Sequence, residues 1–200
     1  MYFSKNKKSL FLKKLRHEGF SVYEIKLYGG DADDEADLKW LIDRMFSAWR
    51  TIICSRNRGY VRQFRGIMRR LFVEFDKAAG VYRPYFHLLC IRERNPGMSD
   101  DDWRLMLGEE KLRVQTYIKW LSAWASALKL CTDVRVDFSL VELERIETVL
   151  GSFFTNEKYS AFVLLDDMKR QVIRRSCGVH HLVSFHGIFK EMNRQVSVER

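Results

Sequence analysis

The chain has 200 residues, enough for one well-filled core but short for two domains, and 46% of them are apolar, which excludes a disordered polyelectrolyte. It carries 35 Lys and Arg against 26 Asp and Glu, a formal net charge of +9, a balance that suits a polyanionic partner such as nucleic acid. No apolar run approaches the roughly 18 residues of a membrane span. Leu10-Phe11-Leu12 is interrupted by Lys13 and Lys14 and is too short for a secretory signal core, so a cytoplasmic protein with no membrane partner is expected.

Residues 1–19 read as a basic N-terminal arm or short helix, and residues 20–195 as a single domain. Phe20 to Tyr28 alternates like a strand and stops at Gly29-Gly30. The acidic loop from Asp31 to Glu35 leads into a helix from Ala36 to Cys54. Carboxylates there favour the helix N-terminus. Leu38, Leu41, Ile42, Met45, Ala48, Trp49 and Ile52 recur along it at three- and four-residue steps. The span from Arg56 to Arg70 is densely basic, with Tyr60 and Phe64 interleaved. Leu71 to Phe75 reads as a strand, Asp76 to Gly80 as a turn, and the segment after Pro84 as a second strand, giving a hairpin. Pro84 is expected at that strand's start, where its missing N–H does least harm.

Downstream, Asn95 to Asp102 reads as a loop and Trp103 to Leu130 as a helix with Tyr117, Trp120, Leu121, Trp124 and Leu128 on one face. Val134 to Phe138 alternates as a strand, and Leu140 to Phe154 and Glu157 to Val172 read as helices. A last helix begins at His186 or Ile188 and runs to Arg194. The elements interleave without the Gly-rich turns of a dinucleotide fold. The expected class is α+β, an antiparallel sheet with packed helices. The four cysteines, Cys54, Cys90, Cys131 and Cys177, have no zinc-ligand spacing and read as reduced structural thiols.

Tyr82-Arg83-Pro84-Tyr85-Phe86-His87-Leu88-Leu89-Cys90-Ile91 puts one imidazole into an apolar strand. Residues two apart share a face, so Tyr85, His87 and Leu89 point one way. A buried imidazole needs a partner: a nearby carbonyl would make His87 a packed sheet histidine, a metal ion would make it a ligand.

The segment resembles the metal-binding strand of rolling-circle plasmid replication initiators, the Rep proteins of the HUH endonuclease superfamily. That strand has the form His-Pro-His-Phe-His followed by an apolar run. Here Pro84, Phe86, His87 and the run from Leu88 match, while Tyr85 stands at the first imidazole of the pair. The family's preceding strand carries a Glu at the position of Phe72, with Glu74 two residues on. Tyr23-Glu24-Ile25-Lys26-Leu27 stands where the family has a Thr-Leu-Thr-hydrophobic strand. Asn156-Glu157-Lys158-Tyr159-Ser160 resembles the segment of the nucleophilic tyrosine, with Phe162 where a further lysine is usual. Gly187-Ile188-Phe189-Lys190-Glu191 is similar to the family's ending.

The resemblance implies an HUH endonuclease-like fold over residues 20–195, and a plasmid replication protein that binds origin DNA, single-stranded or hairpin. In such initiators a tyrosine nicks one strand with a divalent metal, manganese or magnesium. It implies Tyr159 as the catalytic nucleophile, the alternative being a tyrosine packed on the sheet. It also implies His87 as the retained metal ligand, with Glu74 as a substitute oxygen ligand and Tyr85 as a phenolate ligand, and a host helicase or polymerase as partner. With the first imidazole replaced, the alternative is a catalytically degenerate relative that needs no metal and regulates replication by binding DNA. Candidate DNA contacts are Arg56, Arg58, Arg62, Arg65, Arg69, Lys158, Arg174 and Arg175, cations that give salt-dependent affinity. His180, His181 and His186 are expected to face DNA or solvent, since adjacent strand residues point to opposite faces.

Overall fold

A computed structural model describes residues 20–54, 63–93, 110–129, 134–154, 167–177 and 183–198, with residues 9, 11–13, 15 and 61. The strands are β1 (Phe20–Tyr28), β2 (Gly66–Asp76), β3 (Val81–Glu93), β4 (Val136–Leu140) and β5 (Val183–Gly187). The helices are α1 (Glu35–Cys54), α2 (Glu110–Leu128), α3 (Ile146–Phe154), α4 (Asp167–Cys177) and α5 (Ile188–Val198), with a short 3₁₀ turn, Leu143–Arg145, before α3. The strands form one antiparallel sheet in the order β4-β1-β3-β2-β5. The expected α+β class holds. The first six elements, β-α-β-β-α-β, make a split β-α-β arrangement, with β3 inserted between β1 and β2.

Both faces of the sheet are covered. On one, Ile25 and Leu27 of β1, Leu71 and Val73 of β2, and Phe86 and Leu88 of β3 meet α1, α2 and α4. Asp34 starts α1 by accepting from the backbone N–H of Asp37 at 2.9 Å, the work of an N-cap. Trp120, Trp124 and Leu128 of α2 are fully buried. The Trp124 indole donates to the carbonyl of Tyr28 at 2.7 Å, tying α2 to the end of β1. On the other face, Val22, Met68, Leu89 and Ile91 meet α3, α5 and the helical residues Phe11, Leu12 and Leu15. Cys90 and Cys177 are buried.

Several boundaries differ from the sequence reading. β2 begins at Gly66, five residues early, and takes in Arg69 and Arg70. Both arginines are buried, their guanidiniums over aromatic rings, so the charge that signals a loop in sequence lies inside the sheet. The fourth strand runs from Val136 to Leu140 and α3 starts only at Ile146. His186 belongs to β5, an edge strand, and not to the helix that follows it. Pro84 lies inside β3, not at its start. Its carbonyl accepts from Gly29 N at 2.9 Å, so its polar side faces the point where β1 ends. The missing N–H therefore breaks no bond to β2.

Gly66 and Gly187 face each other across β2 and β5. A side chain on Gly66 would strike Ile188 and Phe189. The C-terminal Gly-hydrophobic-hydrophobic motif thus docks α5 onto the start of β2.

Candidate functional site

β3 is the central strand, and Arg83, Tyr85, His87 and Leu89 share one of its faces. Leu89 lies under α3 and α5. Beyond it the face turns polar: Glu24, Lys26 and Tyr28 from β1, Arg70 and Glu74 from β2, and Asp137 from β4.

His87 is 6% exposed. Its ring lies 4.7 Å from that of Phe153 and 5.5 Å from that of Phe72. Its Nε2 lies 2.9 Å from Glu24 Oε1. Glu24 stands opposite Leu89 in the β1–β3 ladder, one diagonal step from His87, within reach of a long side chain. The polar contact with His87 holds the Glu24 carboxyl below the usual carboxylate range, against the opposing effect of burial.

Tyr85 takes a different carboxylate. Its hydroxyl donates to Glu74 Oε1 at 2.8 Å, and its ring stacks on Phe72 and leans on Tyr28, with centroids at 5.5 and 5.1 Å. Burial, then the Glu74 charge, push its phenol well above tyrosine's ordinary value. Tyr85 is therefore a protonated donor, not an anionic ligand. Tyr28 is pushed up to about 12 by burial and by Asp137, to which its hydroxyl donates.

His87, Glu74 and Tyr85 thus fall into two pairs and do not meet at one point. Arg70 is the β2 residue opposite His87, and Glu74 lies four residues further along, a shift of about 13 Å at a strand's rise. Among the described residues, no three His, Cys, Asp or Glu side chains gather as a metal's ligand set. Among the described residues of this face, the His87–Glu24 pair places an imidazole nitrogen 2.9 Å from a carboxylate oxygen, and the carboxylate is a donor suited to manganese or magnesium. Those two residues could hold such an ion, and its other positions would fall to other groups. Sequence reasoning missed Glu24. The available signal was the one carboxylate of β1, which shares a strand face with Lys26.

Tyr159 and Lys158 lie outside the described residues, as do Arg56, Arg58, Arg62, His180 and His181. α3, whose Phe153 covers His87, precedes the Tyr159 segment in sequence. The remaining arginines do not surround the His87 pair. Arg69, 4% exposed, faces the opposite side of the sheet, its guanidinium against the rings of Phe46, Trp49 and Phe86. It belongs to the core, not to a DNA-facing surface. Burial pulls its pKa down to about 9, which leaves it charged at neutral pH. Arg65 is exposed and pairs with Glu93 at 2.8 Å. Arg174 and Arg175 are exposed on α4, which packs on α1; Arg175 reaches Glu35 at 3.6 Å. His186 is half-buried, its ring 6.0 Å from Trp49 and its Nε2 without a hydrogen-bond partner among the described residues.

No helix among the described residues is long and apolar enough to cross a membrane. Set against protein-family models, curated proteins and solved structures, the chain has no match.

Proposed function

We propose that this chain is a plasmid replication protein that binds origin DNA, on the pattern of the rolling-circle initiators, with Tyr159 as its nucleophile. One observation carries the reading. The motif strand is the central strand, and its His87 and Tyr85 share a face on which each meets a carboxylate from a flanking strand. The net charge of +9 supports a polyanionic partner. In cleavage the Tyr159 oxygen would bond to phosphorus as the bond to the leaving oxygen breaks, so the phosphotyrosine link conserves the bond energy. A divalent ion, held by His87 and Glu24, would neutralise charge on the phosphate. Phe153 and Phe72 would keep water from that pair.

A second reading is favoured by the same packing. His87 is buried, and Tyr85 is committed as a donor to Glu74. On this reading the protein binds DNA but no longer cuts it, and acts as a regulator of replication.

The experiment is incubation of the full chain with single-stranded and hairpin oligonucleotides in the presence of manganese. A covalent adduct that disappears in Tyr159→Phe supports the initiator. Salt-sensitive binding with no adduct under any metal supports the regulator. Absence of binding at moderate salt rejects both.

A further inference from the structure

The His87–Glu24 pair is closed. Its two side chains are 7% and 15% exposed, and the His87 Nε2 is shut off from solvent. Phe153 covers it, with its ring 4.7 Å from the imidazole. Phe153 stands in the last turn of α3, where carbonyls have no partner within the helix. One of these, the Ser152 carbonyl, accepts from Arg70 Nη1. Arg70 faces His87 in the β2–β3 ladder and is buried. Its guanidinium also lies over the ring of Phe72, the second ring against His87. We propose that the last turn of α3 is a cover over the His87–Glu24 pair, latched by Arg70, and that a ligand reaches the pair when this turn lets go. The inference rests on the reading of His87 and Glu24 as the holders of an ion, and adds the way in.

The latched turn is distinct from the rest of α3. Ile146, Val149 and Leu150 anchor the earlier turns in the core with Met68, Leu89 and Phe189. The end of the helix can therefore open while its body stays on the sheet. Gly151 and Ser152 follow the anchored part, both half-buried, and both residue types hold a helix less well than alanine. A cation at a helix C-terminus meets the free carbonyls and the negative end of the helix dipole, so Arg70 favours the closed turn. Openings confined to a helix end need less free energy than global unfolding.

The test labels His87 in the full chain with diethyl pyrocarbonate, which acylates accessible imidazoles, and follows the His87 peptide by mass spectrometry. Arg70→Met should speed labelling about tenfold, the factor for one hydrogen bond to a charged group. Phe153→Leu, which removes the ring, should also speed it. Gly80→Ala, which strains the β2–β3 turn at a φ of +74°, should leave the rate unchanged, because local opening does not follow global stability. If Arg70→Met does not fold, Arg70→Lys, which keeps the charge without the planar fork, should speed labelling by a smaller factor. Labelling at the wild-type rate in the Arg70 variants, or equal acceleration by Gly80→Ala, would overturn the cover. Manganese titration of the His87 ring resonances probes the ion itself: Arg70→Met should broaden at lower metal concentration than the wild type. Faster labelling with resonances that stay sharp in every variant would uphold the cover and overturn the ion reading.

Discussion

Gly187→Ala tests whether the C-terminal motif acts by close backbone approach. Gly187 has a φ of +57°, and a Cβ there would lie 2.0 Å from the Arg65 carbonyl oxygen. No side-chain rotation relieves such a contact, because both groups belong to the backbone. The carbonyl has to move, yet it accepts from Ile188 N at 3.0 Å, the bond that starts α5 against β2. A left-handed backbone costs a non-glycine residue about 1–2 kcal/mol. Losing the hydrogen bond adds about 0.5–1.5 kcal/mol, for a sum of about 1.5–3.5 kcal/mol. Gly80→Ala is the control: φ there is +74°, with nothing within 4 Å of the new Cβ, so only the backbone component of about 1–2 kcal/mol applies. Urea unfolding at one pH measures both. Gly187→Ala should lose about 1 kcal/mol more than Gly80→Ala. Equal losses would refute the steric reasoning and the docking role assigned to the motif.

Other consequences concern the polar face and the arginines. Glu24 has a folded pKa below its ordinary value, so its stabilisation is present above the unfolded carboxylate pKa and fades as pH falls through the lower folded one. The wild type should therefore melt above Glu24→Gln near neutral pH, with the gap closing below about pH 4; a gap of constant size across pH would count against the pair. Tyr85→Phe removes the donor to Glu74, which is itself exposed, and should cost about 0.5–1.5 kcal/mol in urea unfolding; a larger loss would mean that Glu74 depends on Tyr85 more than its exposure allows. In single-strand binding, Arg174→Ala and Arg175→Ala should each flatten the slope of log K against log salt by about 0.7 if each meets a phosphate. Arg69→Met, in the core, should leave that slope unchanged, and a flatter one would show that Arg69 reaches DNA after all.

Local signals carried much of the architecture. Alternation in Phe20 to Tyr28 is β1 at both ends, because one strand's pattern depends only on its own residues. The spacing of Leu38, Ile42, Met45, Trp49 and Ile52 is the buried face of α1, although Phe46 joins it unannounced. The turn from Asp76 to Gly80 holds through Asp76, whose side chain accepts from the N–H groups of Ala78 and Ala79. Arg69 and Arg70 misled because charge marks exposure only on average. Here aromatic rings and, for Arg70, the Ser152 carbonyl receive the guanidiniums. Apart from Phe72, two residues along the same strand face, those partners are remote in sequence. β5 was missed because His186 reads as the start of the helix that follows, and the Gly187 that separates strand from helix falls inside that reading.

The sequence by itself determined an α+β chain with a basic balance, a hairpin whose second strand carries His87, and the faces that α1 and β3 present. Those properties follow from composition and from periods of 3.6 and 2, which are local. Only the tertiary structure decided what His87 touches. Its carboxylate is Glu24, 63 positions earlier, and the Glu74 expected beside it goes to Tyr85 instead. The cause is register. Lys26 stands opposite His87 and Phe72 opposite Tyr85, which sets one carboxylate diagonal to each. A register is the outcome of the whole sheet's packing, because a slip of one residue would turn every buried side chain to the wrong face.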